Sequence, residues 1–271
     1  MMATVEDLAP GAELLPGYTL VTRLRRGRRL DTFDVYSVER DCRCVVKTLR
    51  PDRRHEADAA AALRQEGRLL RDLTHPHLLR CYEVVEDPHT ALVLETLSGS
   101  MLSAVIEDQR LGVSDAAQLG LQLVAVIGYL HRHGWLHLDV KPSNIAVAAG
   151  RATLIDLSLA SRPGTGKPGA GTRGYLAPEQ AAGENLSPLT DVFGLGVTLG
   201  ECVVGRLPYG SNAAWDRRFC RRTVQPRRSF ARRLGRLPLP FAEVVLACIE
   251  PDAADRPSLD EVRRALGAIS G

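Results

Sequence analysis

Asp139, Asn144 and Asp156 stand in a short arrangement, His137-Leu138-Asp139-Val140-Lys141-Pro142-Ser143-Asn144, with Asp156-Leu157-Ser158 beginning twelve residues after the asparagine. This stretch holds a carboxylate base, a lysine two residues beyond it, and two hard oxygen ligands for a divalent cation. Phosphoryl transfer from a magnesium nucleotide to a hydroxyl needs that set. Lysine usage sharpens the point. Of 35 basic residues only Lys47, Lys141 and Lys167 are lysine, and the other 32 are arginine. Lysine carries a compact point charge where arginine carries a flat fork, so a chain that otherwise uses arginine keeps lysine for a reason.

These groups must be held by elements legible in the pattern. Tyr18 to Leu24, Phe33 to Val38 and Cys44 to Leu49 alternate as strands do and form an antiparallel meander. Glu56 to Leu73 has helical apolar spacing, with Glu66 on the face of Ala59, Leu63, Leu70 and Leu73, and it stops before His75-Pro76. Leu79 to Val85 and Thr90 to Glu95 add two strands across Glu86-Asp87-Pro88-His89. From Leu97 the pattern turns helical. Ser114 to His133 opens on a capping serine and ends at Gly134. Gly150-Arg151 is read as a hairpin turn between Asn144–Ala148 and Ala152–Ile155, and later helices are expected at Leu189–Val204, Pro240–Cys248 and Ser258–Leu266. The Gly/Pro-rich stretch Pro163 to Gly174 is a loop inside the domain, where loops carry function.

Bulk properties exclude other classes. At 271 residues the chain fits one large or two unequal lobes, and 45% hydrophobic with 25% charged residues is an ordinary globular composition. A net charge of +3 is too small to imply nucleic acid or a membrane surface. No apolar run reaches the ~18 residues of a membrane span. The longest, Leu119 to Leu130, contains Gln122 and is expected as a buried helix. Met1 to Pro16 is acidic and lacks the pattern of a signal peptide. The arginine bias points to a high-GC bacterial genome. Six scattered cysteines, with Cys42 and Cys44 the one close pair, lack zinc spacing. They are expected as free thiols, which places the chain in the cytoplasm.

From Tyr18 to Leu266 the chain resembles the eukaryotic-type serine/threonine protein kinases. The resemblance rests on Val45-Val46-Lys47, on Glu66 ahead of His75-Pro76, on His137 to Asn144, and on Asp156-Leu157-Ser158. It rests further on Thr172-Arg173-Gly174-Tyr175-Leu176-Ala177-Pro178-Glu179, on Asp191 in Asp191-Val192-Phe193-Gly194, and on Arg256 in Asp255-Arg256-Pro257. It implies an α+β, two-lobed protein-kinase-like fold: a five-stranded antiparallel small lobe with one helix, and a mainly helical large lobe. Residues 1–17 would be an N-terminal extension, 18–96 the small nucleotide-binding lobe and 97–271 the large catalytic and substrate-binding lobe, with MgATP in the cleft.

The same resemblance implies roles. Asp139 and Lys141 are catalytic, with Lys47 contacting the nucleotide's α- and β-phosphates and Glu66 holding it. Asn144 and Asp156 bind Mg2+. Gly27, Val35, Val45 and Ala146 enclose ATP, Leu94 is the gatekeeper, and Glu95 to Leu97 form the hinge. Glu179 pairs with Arg256, and Asp191 holds the catalytic loop from below. The implied reaction is transfer of the γ-phosphate of ATP to protein serine or threonine. The alternatives are a pseudokinase acting as a nucleotide-binding scaffold, or a small-molecule phosphotransferase of the same fold.

The chain also departs from the family. The glycine-rich loop retains Gly27 and Val35 at a spacing wider than the family pattern, among Arg25, Arg26, Arg28 and Arg29. Leu138 replaces the arginine that clamps an activation-loop phosphate, so activity should depend little on phosphorylation of Pro163–Gly174. Leu157 and Ser158 stand for the usual Phe and Gly, Val45 is larger than the usual alanine, and Ala146 smaller than the usual leucine. Nine arginines between Arg217 and Arg236 form a basic region suited to docking an acidic protein substrate or partner. Few aromatics interleave them, which argues against nucleic acid.

Overall fold

The computed structural model of the chain describes residues 9–209 and 226–270, which fall into two compact units. The first runs to Thr74 and includes Leu78–Ser98 and Asp156–Ser158; the second holds His75–His77, Gly99–Ile155 and the chain from Leu159.

In the first unit, strands β1 (Glu13–Leu15), β2 (Tyr18–Arg26), β3 (Leu30–Ser37), β4 (Cys42–Leu49), β5 (Cys81–Val85) and β6 (Ala91–Glu95) form one antiparallel sheet, ordered β1-β2-β3-β4-β6-β5. The sequence led us to expect five strands, and the sixth is β1. It lies in the stretch read as an extension, pairs Leu15 with Tyr18, and buries Leu14 and Leu15 in one face of the sheet. Three residues are too few for alternation to register. Helix α1 (Ala57–Asp72) lies against β5 and β6. Gly67 permits this closeness: a Cβ there would lie 2.4 Å from Leu92 Cδ2 and 2.7 Å from Val84 Cγ2.

The β3–β4 register decides which side chains share a face. Thr32 opposes Lys47 and Asp34 opposes Val45, while Phe33 opposes Val46 and Val35 opposes Cys44. Phe33, Val35, Cys44 and Val46 are fully buried together with Leu14, Leu15 and Tyr18. The face opposite carries Thr32, Asp34, Val45 and Lys47.

The second unit begins with β7 (Ser100–Met101), α2 (Leu102–Asp108) and α3 (Val113–Arg132), followed by the hairpin β8 (Ile145–Ala148) and β9 (Arg151–Leu154). Helices α4 (Pro178–Ala182), α5 (Pro188–Val204), α6 (Arg228–Leu234), α7 (Leu239–Cys248) and α8 (Leu259–Ser270) follow. Strands β7, β8 and β9 form a small antiparallel sheet. Helix α3 is long and apolar enough to cross a membrane by composition, but it packs as a core helix against α5 and α8. Leu123, Val124, Val126, Ile127 and Leu130 on it are fully buried. Its N-cap is Gly112, not Ser114, which sits inside the first turn. Helix α5 has the stronger start: Ser187 and Thr190 form a capping box, Pro188 occupies the first turn, and Gly205 closes the end at φ +70°. Helices α2, α4 and α6 had no counterpart in the pattern, because five to seven residues carry too little of a 3.6 period. The five cysteines among the described residues are free, and only Cys42 of them is exposed.

Candidate active site

In the first unit, β4 ends beside α1 and aims Lys47 at Glu66. Nζ donates to both Glu66 carboxylate oxygens at 2.8 Å and to Asp156 Oδ1 at 3.3 Å. One ammonium thus serves two carboxylates. Burial works against the charge on Lys47, but Glu66 and Asp156 outweigh it and raise its pKa. Burial, opposed by Lys47 and aided by Asp156, pushes Glu66 up to about 7. Asp156 goes the other way. Burial is overcome by Lys47 and by bonding to Ser158, so its carboxyl stays far below the usual range and is ionised. Asp156 sits at φ +67°, a left-handed conformation that its own Oδ1 stabilises by accepting the Ser158 N–H at 3.1 Å.

Val45 and Leu94 form a cross-strand pair on the Lys47 face, and Glu95 and Leu97 follow at the end of β6. The sequence placed Val35 with them, and the register corrects this. Val35 points into the opposite core, and Asp34 takes the place beside Val45. Asp34 is buried and accepts a 2.7 Å bond from Arg43 Nε. Gly27 is a turn glycine: its N–H donates to Leu30 O at 2.7 Å, and a Cβ would come within 2.8 Å of that oxygen. Its amide is therefore spent on the β2–β3 hairpin. Arg29 is spent as well, with Nε 3.0 Å from Glu56.

In the second unit the loop between α3 and β8 carries Asp139. Asp139 Oδ2 accepts from Lys141 Nζ at 2.5 Å and from Asn144 Nδ2 at 2.9 Å, and Oδ1 accepts from the Thr172 hydroxyl at 2.7 Å. Lys141 also donates to Thr172 Oγ1 at 2.5 Å. Asn144 Nδ2 bonds the Asp139 carbonyl as well, at 3.0 Å, which turns its own carbonyl oxygen to other use. Ala146 follows on β8, buried opposite Thr153. Thr172 lay within a motif quoted from the sequence, but no role there followed from its spacing.

Asp191 on α5 holds this loop. It accepts the His137 and Leu138 N–H groups at 2.8 and 2.7 Å and meets the His131 ring at 2.8 Å. Burial disfavours its charge, yet His131 and His137 keep its carboxyl below the usual range. Helix α5 comes close because Gly194 and Thr198 allow it: a Cβ at Gly194 would lie 3.2 Å from Val140 O, and the Thr198 hydroxyl donates to that same carbonyl at 3.2 Å. The anchoring matters because Leu138 has φ +63°, a conformation that costs a bulky residue ~1–3 kcal/mol and persists only where its surroundings hold it. Gln180 adds a third restraint, Nε2 donating to Leu138 O at 2.6 Å and to Ala170 O at 2.7 Å.

Leu138 also belongs to an apolar cluster with Leu136, Leu186 and Leu159. The segment from Leu159 to Leu186 is tied to Leu136 by a bridge at Ser161 and closed on itself by the Gly164–Leu186 bridge and by the Gly166 N–H on Gly183 O at 2.9 Å. Arg162 lies over the Trp135 ring at 4.1 Å and caps the carbonyls of His133 and Gly134. Beyond it, the Arg256 fork grips Glu179 on α4 at 2.6 and 2.9 Å, with the arginine side chain fully buried. The basic region is described in part: Arg227, Arg228, Arg232, Arg233 and Arg236 lie on or beside α6, whereas Arg217, Arg218, Arg221 and Arg222 fall outside the described residues.

The structure thus brings the sequence-predicted residues together in two sets, Lys47 with Glu66 and Asp156, and Asp139 with Lys141 and Asn144. The family model of the protein kinase domain matches residues 18–265. The chain belongs to the protein kinase domain family. The domain is 30% identical to the serine/threonine-protein kinase PkaA of Streptomyces coelicolor, over 83% of this chain and 43% of that protein. It is 27% identical to the serine/threonine-protein kinase PknD of Mycobacterium tuberculosis, over 93% of this chain and 39% of that one. A plant relative, an SNF1-related protein kinase catalytic subunit of Arabidopsis thaliana, is 28% identical over 72% of this chain and 41% of its own length. The chain therefore spans about two-fifths of the length of these curated relatives.

Proposed function

We propose that this kinase domain transfers the γ-phosphate of magnesium ATP to serine or threonine hydroxyls of proteins. The observation that carries the reading is the Asp139 cluster: one carboxylate engaged at once by Lys141, Asn144 and Thr172 on a loop anchored by Asp191. In the reaction, Asp139 accepts or orients the proton of the attacking hydroxyl. Lys141 offsets charge on the transferred group. Lys47, fixed by Glu66, holds phosphate oxygens. Val45 and Leu94 supply apolar surface to the base, and backbone groups of Glu95 and Leu97 its hydrogen bonds.

Asp156 in the first unit and Asn144 in the second each suit magnesium by their own chemistry. Asp156 is ionised, and Asn144 spends its amide nitrogen on Asp139, so its carbonyl oxygen suits a hard cation. Bound magnesium would neutralise charge on the phosphates. The serine/threonine preference is supported by Lys141 two residues after Asp139 and by the names of the relatives.

Intact-mass analysis after incubation with magnesium ATP, beside Asp139→Asn, tests the reading. Added phosphate of ~80 Da, on the chain or on a generic protein substrate, in the native protein alone is the expected result. No transfer in the presence of a nucleotide-induced thermal stabilisation would overturn it in favour of a scaffold.

A further inference from the structure

Several arginines elsewhere in the domain are matched to carboxylates: Arg29 to Glu56, Arg43 to Asp34, Arg50 to Asp52, Arg64 to Glu86, Arg256 to Glu179. One group is not. The segment after α2, the end of α5 and the last turn of α6 bring Arg110, Arg206, Arg232, Arg233 and Arg236 to one place in the second unit. Arg110 lies across the Gly205 backbone, its Nε 2.7 Å from where a Cβ would stand. Arg233 reaches the Val204 carbonyl at 3.4 Å, and Arg206 directly follows Gly205. Four of the five are exposed and Arg233 is partly so. Among the described residues none of the five forms an ion pair. Glu107 and Asp108 share a cavity wall with Arg110 but pair with none of them.

A helix C-terminus favours a cation, and the α5 end explains one arginine, Arg233 on Val204 O. It does not explain five. Each further cation repels the rest, and the Arg233 guanidinium is held below its usual value first by Arg206, then by burial and by Arg110, Arg232 and Arg236. Gathered like charges are relieved by an anion brought from outside. Guanidinium forks favour carboxylates and phosphates in bidentate geometry. The aromatic ring on α6, Phe230, is fully buried and offers no stacking platform to nucleic acid bases.

We infer that the arginine cluster at the junction of α2, α5 and α6 is a docking surface for a carboxylate-rich segment of a protein partner. It makes no use of Asp139 or Lys47, so docking and phosphoryl transfer fail separately. An acidic partner gains on-rate from the field of the cluster, and the gain falls as salt screens it.

The test is fluorescence anisotropy of the full chain with a labelled aspartate–glutamate peptide, beside a neutral glycine–serine peptide, a single-stranded oligonucleotide and vesicles of anionic lipid. The perturbed protein is the triple variant Arg206→Glu, Arg232→Glu, Arg236→Glu, with Arg206→Gln, Arg232→Gln, Arg236→Gln as the milder control; both keep Arg233 on its carbonyl. The acidic peptide should bind the native chain, weaken about tenfold or more in the Glu variant and less in the Gln variant, and weaken between ~0.05 M and ~0.5 M salt. Native-like circular dichroism shows that either variant folds. Equal binding of acidic and neutral peptides, or unchanged affinity in both variants, overturns the proposal. Tighter binding of the oligonucleotide or the vesicles than of the peptide also overturns it and assigns the surface to that ligand.

Discussion

Arg256 spends all five of its N–H donors inside the protein: Nε on Glu250 O at 2.7 Å, Nη1 on Glu179 at 2.6 Å and Leu189 O at 3.0 Å, Nη2 on Glu179 at 2.9 Å and Pro251 O at 3.0 Å. Its charge also lies 4.9 Å from the centre of the Phe193 ring. Glu179→Ala leaves three of those bonds but strands a buried cation and two donors. Breaking a buried pair from one side costs ~3–5 kcal/mol. A domain of this size moves by ~2–4 °C per kcal/mol, so the melting temperature should fall by roughly 6–20 °C. Arg256→Met should be similarly damaging, since it frees a nearly buried carboxylate and three carbonyls. The double variant should cost less than the sum of the two by at least ~1 kcal/mol, because the second change removes the stranded partner. Urea unfolding of the four proteins reads each term. A loss below ~1 kcal/mol for Glu179→Ala, or strict additivity, would refute the account of this pair as a buried brace.

Other outcomes follow from the same structure. Asp139→Asn should lower the rate of peptide phosphorylation by ~10²–10⁴, and Thr172→Val should lower it less, through kcat more than KM; an unchanged kcat in either contradicts the assignment. Thr165→Ala should keep activity within ~3-fold in a radiometric assay, because the chain's own bonds at Gly164 and Gly166 already order the segment; a loss beyond ~tenfold would mean a phosphate is required there. Burial, then Arg54, depresses His89 from 6.5 to about 4, so it folds neutral. The unfolded chain then binds the extra proton between those values. Its share of stability is present above pH 6.5 and lost as pH falls toward 4. His89→Gln should flatten that part of the stability–pH curve, and an unaltered curve would count against it. Asp34→Val should tighten nucleotide binding several-fold by isothermal titration, since it makes the surface beside Val45 apolar; weaker binding by ~tenfold would mean the carboxylate itself contacts the nucleotide.

Most of the residues that the structure groups around Lys47 and around Asp139 stand out in the sequence because they lie in short windows. His137 to Asn144 and Asp156 needed no knowledge of distant contacts, and Lys47, Glu66, Glu179 and Arg256 were each marked by a local motif. Long elements were legible for a similar reason: nine residues of β2, sixteen of α1 and seventeen of α5 give periodicity room to show. What stayed hidden was set by pairing across the fold. The sequence lets Thr32 to Val35 be read with either alternate set on the Lys47 face, because a one-residue shift exchanges the two faces of a strand. The family resemblance implies Val35 for that face. The ladder to β4 decides otherwise, since Lys47 opposes Thr32 and the residues two apart from them must share their face. With Asp34 rather than Val35 on that face, Gly27 stands seven residues before it, which is the family interval from first glycine to valine. On this register the departure from the family is chemical: Arg29, Thr32 and Asp34 stand where the resemblance implies glycines and an apolar side chain. Gly27 survives because the hairpin needs it. Its amide is spent on Leu30 O within that hairpin, and Arg28 stands exposed at the tip.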